Sequence, residues 1–300
     1  MEKNSNKLPK ENIFSATAPS GQILDYKVEN DHACIIREKI IHVKGDLGPS
    51  GDLIIPQSII HNGKEYVVRK IDSWAFFSCR NLSSVTIPNT VESIGWNAFR
   101  TCTSLKGVVI PESVVKIGNS AFENCSGLTD IIIPETVKII GRKAFFGCTS
   151  LTNVEFNARD CEDLESIFSG CPDISIDLVI GKSLVRTIGN NDLKNCNKIT
   201  VADGNPRYDS RDNCNAIIET LSNTLVRGCK NTTIPDTITK IDDFAFSGCK
   251  DLTDIVIPPS VTRIGDSAFE GCTELINIKI MNPTTSIGKD AFRGCTILNK

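Results

Sequence analysis

The 23 residues LSSVTIPNTVESIGWNAFRTCTS, numbers 82–104, decide the fold, because the same pattern starts again at Leu105 and at Leu128. Cysteines fall at Cys79, Cys102, Cys125, Cys148 and Cys171, each 23 residues from the last, and the interval resumes at Cys249, Cys272 and Cys295. Just before each cysteine stands an apolar pair: Ala75-Phe76, Ala98-Phe99, Ala121-Phe122, Ala144-Phe145, the variant Ile167-Phe168, then Ala245-Phe246, Ala268-Phe269 and Ala291-Phe292. Three residues after each cysteine lies a leucine or isoleucine, from Leu82 to Leu298. A further column, Ile71, Ile94, Ile117, Ile140, Ile241, Ile264 and Ile287, is usually followed by glycine. Apolar columns at a fixed period of this length are the mark of stacked coils.

Within one unit, Val85 and Ile87 alternate with polar neighbours and Pro88 stops the run, which predicts a strand of three or four residues. The segment Gly-x-x-Ala-Phe-x-x-Cys brings Ala98, Phe99 and Cys102 onto nearly one face at helical spacing, which predicts a helical or 3₁₀ turn on the other side of the coil. A lone coil of this size cannot bury enough apolar surface to offset the entropy of ordering it, so neighbouring coils must supply the rest. The predicted fold is an α/β repeat solenoid: a leucine-rich-repeat-like right-handed superhelix of about ten coils, with a parallel β-sheet on one face and short helical or 3₁₀ turns on the other.

The cysteine column reads as small buried hydrophobes with reduced, inert thiols. Equivalent side chains on stacked coils point the same way, which opposes disulfide geometry, and a linear column cannot converge on a tetrahedral metal.

Residues 1–20 are polar and read as a disordered segment. Residues 21–47 read as a β-hairpin cap, with apolar runs at 23–28 and 33–36 flanking Glu29-Asn30-Asp31-His32. A cap is wanted because the end of a stacked sheet exposes unpaired edge groups. Residues 48–300 form the solenoid. Its first coil spans 32 residues from Pro56 to Pro88, with a turn signal at Asn62-Gly63. The proline turn is lost at Arg159-Asp160-Cys161-Glu162-Asp163, and the coil around Ile188, Leu193 and Cys196 has drifted by two residues. Residues 201–233 read as a hairpin insertion. There Asp209, Asp212 and Asn213 are turn residues rather than a calcium loop, since Arg211 sits where a ligand is wanted and no downstream glutamate matches. Cys214 and Cys229 flank this hairpin and are the candidate disulfide pair.

With repeat and interruption in view, the sequence resembles the BspA-like leucine-rich repeat family of bacterial cell-surface proteins, especially those of Bacteroidetes. The stretch Tyr208-Asp209-Ser210-Arg211-Asp212-Asn213-Cys214-Asn215-Ala216 is similar to an interruption typical of that group, and Gly51-Asp52-Leu53-Ile54-Ile55-Pro56 to its usual first coil. The resemblance covers roughly residues 20–300. It implies a cell-surface or secreted protein used in adhesion to host matrix protein, other cells or glycans, and it brings no catalytic residues. Members carry a secretion signal. The chain begins Met1-Glu2-Lys3-Asn4-Ser5-Asn6 without an apolar leader, and a leader replaced by Met1 leaves the same appearance.

Composition is consistent with a binding role and points to no charged partner. Of 300 residues, 33 are basic and 36 acidic, so a net charge of -3 gives no footprint for nucleic acid, and no apolar run is long enough for membrane insertion. The histidines, His32, His42 and His61, show no metal-ligand spacing, and no nucleophile elbow, P-loop or dinucleotide motif is present. The chain is therefore expected to be neither an enzyme nor a carrier of a metal or cofactor.

A binding module works through variable surface positions. On the concave strand face the outward candidates are Thr86, Val109, Asp130, Ile132, Asn153, Glu155, Val256 and Lys279. Val109, Ile132 and Val256 are either β-branched residues that suit strands or an apolar stripe for a partner. Phe77, Trp96 and Phe146 occupy positions that are polar in sister coils, and either anchor an interface or cover a groove between coils. The other reading is a structural spacer or self-assembly module, monomeric or weakly associating end to end, because the chain stops at Leu298-Asn299-Lys300 with no capping element.

Overall fold

Alternation of inward apolar and outward polar residues builds the main sheet. Its seven parallel strands run in the spatial order Cys196–Val201, Ser175–Ile180, Asn153–Phe156, Asp130–Ile133, Gly107–Val109, Leu82–Thr86, Gly51–Ile54. Val85, Val108, Ile131 and Val154 occupy one inward row and are buried, and Ile87, Ile110, Ile133 and Phe156 occupy the next. The computed structural model describes residues 13–37, 48–158, 167–168, 171, 175–180 and 196–296. Residues 1–12, the end of the cap at 38–47 with His42, and the degenerate stretches around Asp160 and Ile188 lie outside the described residues.

The isoleucine column forms a second parallel ladder. The two-residue bridges Ser93–Ile94, Lys116–Ile117 and Ile139–Ile140 stack on the end of Lys64–Ile71, and the column isoleucines from Ile71 to Ile264 are buried, whereas Ile287 is exposed. Each regular coil thus contributes two short strands to two parallel ladders, where the sequence predicts one.

The helical turn expected on the far side is absent from the described coils. The Gly-x-x-Ala-Phe-x-x-Cys segment has left-handed backbone at two places: Trp74 and Ser78, Asn97 and Thr101, Ser120 and Asn124, Lys143 and Gly147. A helix needs an unbroken run of right-handed φ, so these residues divide the segment into successive turns. Its amides alternate in direction. Ala98 and Arg100 bond back within their own coil to Gly95 and Asn97, whereas Asn97, Phe99 and Thr101 donate to Asn119, Ala121 and Glu123 of the next coil. The spacing of Ala, Phe and Cys mimicked a helix because both arrangements return the chain to the core. The 3₁₀ turn that is described, Arg211–Asn213, lies in the insertion.

Stacking by near-pure translation puts equivalent side chains on top of one another. The rings of Phe76, Phe99, Phe122 and Phe145 follow at 4.9, 5.2 and 5.2 Å, with interplanar angles of 15° or less. A second stack joins Phe246, Phe269 and Phe292. The thiols are more than small hydrophobes. Cys102, Cys125 and Cys148 donate through Sγ to the carbonyl oxygens of Phe76, Phe99 and Phe122 one coil back, at 3.1 to 3.2 Å. Burial pushes the Cys125 thiol up to about 12, which leaves the nucleophilic thiolate scarce.

The N-terminal cap is larger than expected. Strands Ile23–Glu29 and His32–Ile36 form a hairpin, and Ile13–Thr17 adds an antiparallel third strand. Residues 13–20 are therefore ordered, contrary to expectation: Phe14, Ala16 and Ala18 alternate toward the core, and Phe14 stacks on Tyr26 and on His61. His32–Ile36 pairs in parallel with Lys64–Ile71, so the cap continues the second ladder.

In the interruption, Tyr208–Asp209, Ala216–Glu219 and Thr224–Gly228 form an antiparallel sheet whose last strand runs parallel to Lys240–Ile241. Among the described residues the solenoid makes about eight turns, where the sequence predicts about ten. Asp209 holds Arg211 by two nitrogens, as structural turn residues do. Cys214 and Cys229 are free buried thiols, with Sγ of Cys229 directed at Asn215 O, 3.2 Å away, and no disulfide joins them. Thiol titration of the unfolded, unreduced chain is expected to find at least the eleven free thiols described, and a smaller number contradicts this structure.

Candidate binding surface

Register decides which outward side chains become neighbours. Along the main sheet, Ile54 aligns with Thr86, Thr86 with Val109, Val109 with Ile132, Ile132 with Glu155, and Glu155 with Asp177. The adjacent outward row reads Asp52, Ser84, Gly107, Asp130, Asn153. Val109 is 77% exposed and Ile132 56%, so two aliphatic side chains lie side by side in solvent. Gly107, with no side chain, leaves Val109 unscreened on its N-terminal side.

Beyond Ile132 the face turns polar and hollow. Asp130, Ile132, Asn153, Glu155, Asp177 and Asn197 line a depression of about 350 Å³. Asp130 takes hydrogen bonds from the Thr129 hydroxyl and the Asn153 amide, both at 2.6 Å, and these hold its carboxyl below the usual range. Asn157 donates to Glu155 and Asn197 to Asp177. Among the described residues these three carboxylates have amide and hydroxyl partners but no ion-pair partner. Neutral donors thus hold all three carboxylates in place.

The structure thus brings Thr86, Val109, Asp130, Ile132, Asn153 and Glu155 together. Val256 and Lys279 are also exposed and in register with each other, but on a separate two-stranded sheet, Asp254–Ile257 with Asn277–Ile280. Ile54 and Asp177 belong to the surface and were missed, because their place depends on pairing across irregular coils.

The aromatics divide similarly. Trp96 is exposed and Phe77 half-buried, and Trp74 links them, edge-on to Phe77 at 4.8 Å and tilted to Trp96 at 5.9 Å. Trp74 is left-handed at φ 66°, an uncommon conformation for a bulky residue. The column comparison that flags Trp96 also flags Trp74, whose counterparts include Asn97, Ser120 and Lys143. Phe146 is not in this cluster; its ring carries the Lys143 ammonium at 5.2 Å.

Stacked coils carrying two parallel ladders define an open repeat scaffold of the leucine-rich repeat class. The chain belongs to the BspA-type leucine-rich repeat family, whose profile matches residues 69–200 and 215–300 in six copies. A leucine-rich cell surface protein from Faecalibacterium prausnitzii is 25% identical with a TM-score of 0.58, over 98% of this chain and 82% of that one. The pneumococcal vaccine antigen PcpA shares the fold at 18% identity and TM-score 0.56, over 95% of this chain and 80% of that one. A leucine-rich repeat protein from Bacteroides capillosus is 28% identical over 49% of this chain and 99% of its own, with a TM-score of 0.41. No curated protein is significantly similar. Among the described residues no helix is long and apolar enough to cross a membrane.

Proposed function

We propose that the chain is a non-enzymatic binding module of adhesin type, displayed at the cell surface or secreted, and that it recognises host matrix protein, other cells or glycan through the outward face of its main sheet. The observation that carries this reading is the exposed pair Val109 and Ile132 beside a hollow rimmed by Asp130, Asn153 and Glu155. An apolar patch with a polar rim is the usual composition of a recognition surface. Carboxylates without ion-pair partners favour a ligand that sets basic groups beside an aliphatic one. The cell-surface placement draws support from the Faecalibacterium relative, which is described as a cell surface protein.

The test is an array of extracellular-matrix proteins and glycans probed with the intact chain. Saturable binding to a subset, weakened by salt because the rim is charged, is the expected outcome. A surface that binds nothing on the array counts against the adhesin reading.

A further inference from the structure

Three side chains with different donor atoms meet on one face of the N-terminal hairpin. The turn residues Asn30 and Asp31, both left-handed, set Glu29 directly across from His32. Cys34 lies two residues further along the same strand and so shares the face of His32. A carboxylate oxygen of Glu29, a ring nitrogen of His32 and Sγ of Cys34 all lie within 4.8 Å of one another, and Sγ is 3.6 Å from Glu29 Oε2. Glu29 and His32 are half-buried and Cys34 is buried, so the cluster is reached from the hairpin end. The 23-residue repeat does not account for Cys34: column thiols donate to phenylalanine carbonyls, whereas this one faces a carboxylate. The sequence hides the set because the three residues converge only in hairpin register.

We propose that Glu29, His32 and Cys34 bind one thiophilic divalent cation of the zinc class, with water in the fourth position. One sulfur, one imidazole nitrogen and one carboxylate oxygen around an open position suit a tetrahedral d¹⁰ ion, whereas magnesium and calcium want several oxygens. Binding replaces the thiol proton by the metal, Cys34–SH + M²⁺ → Cys34–S–M⁺ + H⁺, and the proton passes to solvent. Two lysines compete. Lys27, which pairs with Glu29, must yield that carboxylate, and Lys70, in register with Cys34, stays on Asp72 at 2.9 Å. Their charge lowers affinity relative to a four-ligand structural site. A bound ion bridges the two strands of the hairpin and so ties down the cap.

The test uses cobalt(II) as a spectroscopic probe on the full chain. One equivalent is expected to bind with a thiolate-to-cobalt charge-transfer band, and zinc is expected to displace it. Cys34→Ser should abolish the band. His32→Ala and Glu29→Gln, which leave the buried position intact and so preserve folding, should each weaken binding at least about tenfold. Absence of the band at one equivalent, a band that survives in Cys34→Ser, or unchanged affinity in both His32→Ala and Glu29→Gln overturns the proposal.

Discussion

Gly118→Ala is expected to destabilise the solenoid by about 3 kcal/mol, while Gly107→Ala leaves it within about 0.5 kcal/mol of the parent. At Gly118 an added Cβ meets Trp96 N at 2.6 Å and Gly95 C at 2.7 Å, both backbone of the preceding coil. Backbone in a stacked ladder has no rotamer to escape into, so the coils must part. Parting them strains the second ladder, where Gly118 N donates to Ile94 O at 2.8 Å, and the phenylalanine stack beside it. Gly107 has open space within 4 Å and ordinary backbone, which makes it the matched control. Gly95, Gly141, Gly265 and Gly288 meet similar close contacts with the coil before them, so a glycine that follows a column isoleucine is a spacing residue. Urea denaturation of the two variants checks this, and equal stabilities contradict close backbone stacking at that column.

Phe122→Ala is expected to cost about 3–5 kcal/mol, the range for truncating a fully buried phenylalanine. The ring is fully buried and lies 5.2 Å from both Phe99 and Phe145, so its loss opens a cavity in the middle of the stack and removes two aromatic contacts. The cavity cannot collapse readily, because two backbone ladders and the coil-to-coil amide bonds of Phe99 and Phe122 hold the coil spacing. Phe292→Ala, at a half-buried ring with one stacked neighbour, should cost less. Equilibrium denaturation of both variants measures the contrast. A loss below about 1 kcal/mol for Phe122→Ala contradicts a continuous aromatic spine.

The parts of this fold visible in the sequence are those fixed by exact repetition. Cys125, Phe122 and Ile117 keep their offsets because each touches its own counterpart one coil away, and any other spacing breaks the stack. The turns were misread because Ala121, Phe122 and Cys125 satisfy a helical pattern while the φ signs of Ser120 and Asn124 decide the outcome. The glycine at 147, and those at 248, 271 and 294 in the same column, were the available signal for left-handed backbone. The strand at 13–17 escaped notice because Ile13, Phe14 and Ala16 are a short apolar run in an otherwise polar tail.

The surface was less legible than the core for a related reason. Outward residues vary from coil to coil, so no column announces them, and their neighbours follow from register alone. Val109 and Ile132 were readable because the coils that carry them are regular. Asp177 lies past the stretch where the proline turn is lost, and Glu29, His32 and Cys34 converge through antiparallel pairing that the repeat does not encode.

The most direct test of the proposed binding face is the affinity of the Val109→Lys/Ile132→Lys double variant for a ligand from the array, beside Trp96→Ala. Both valine and isoleucine side chains stand in solvent, so folding and thermal stability should be retained. A binding role for the main sheet predicts at least about a tenfold loss for the double variant, or about 1.4 kcal/mol, with Trp96→Ala near the parent. Unchanged affinity in the folded double variant contradicts it.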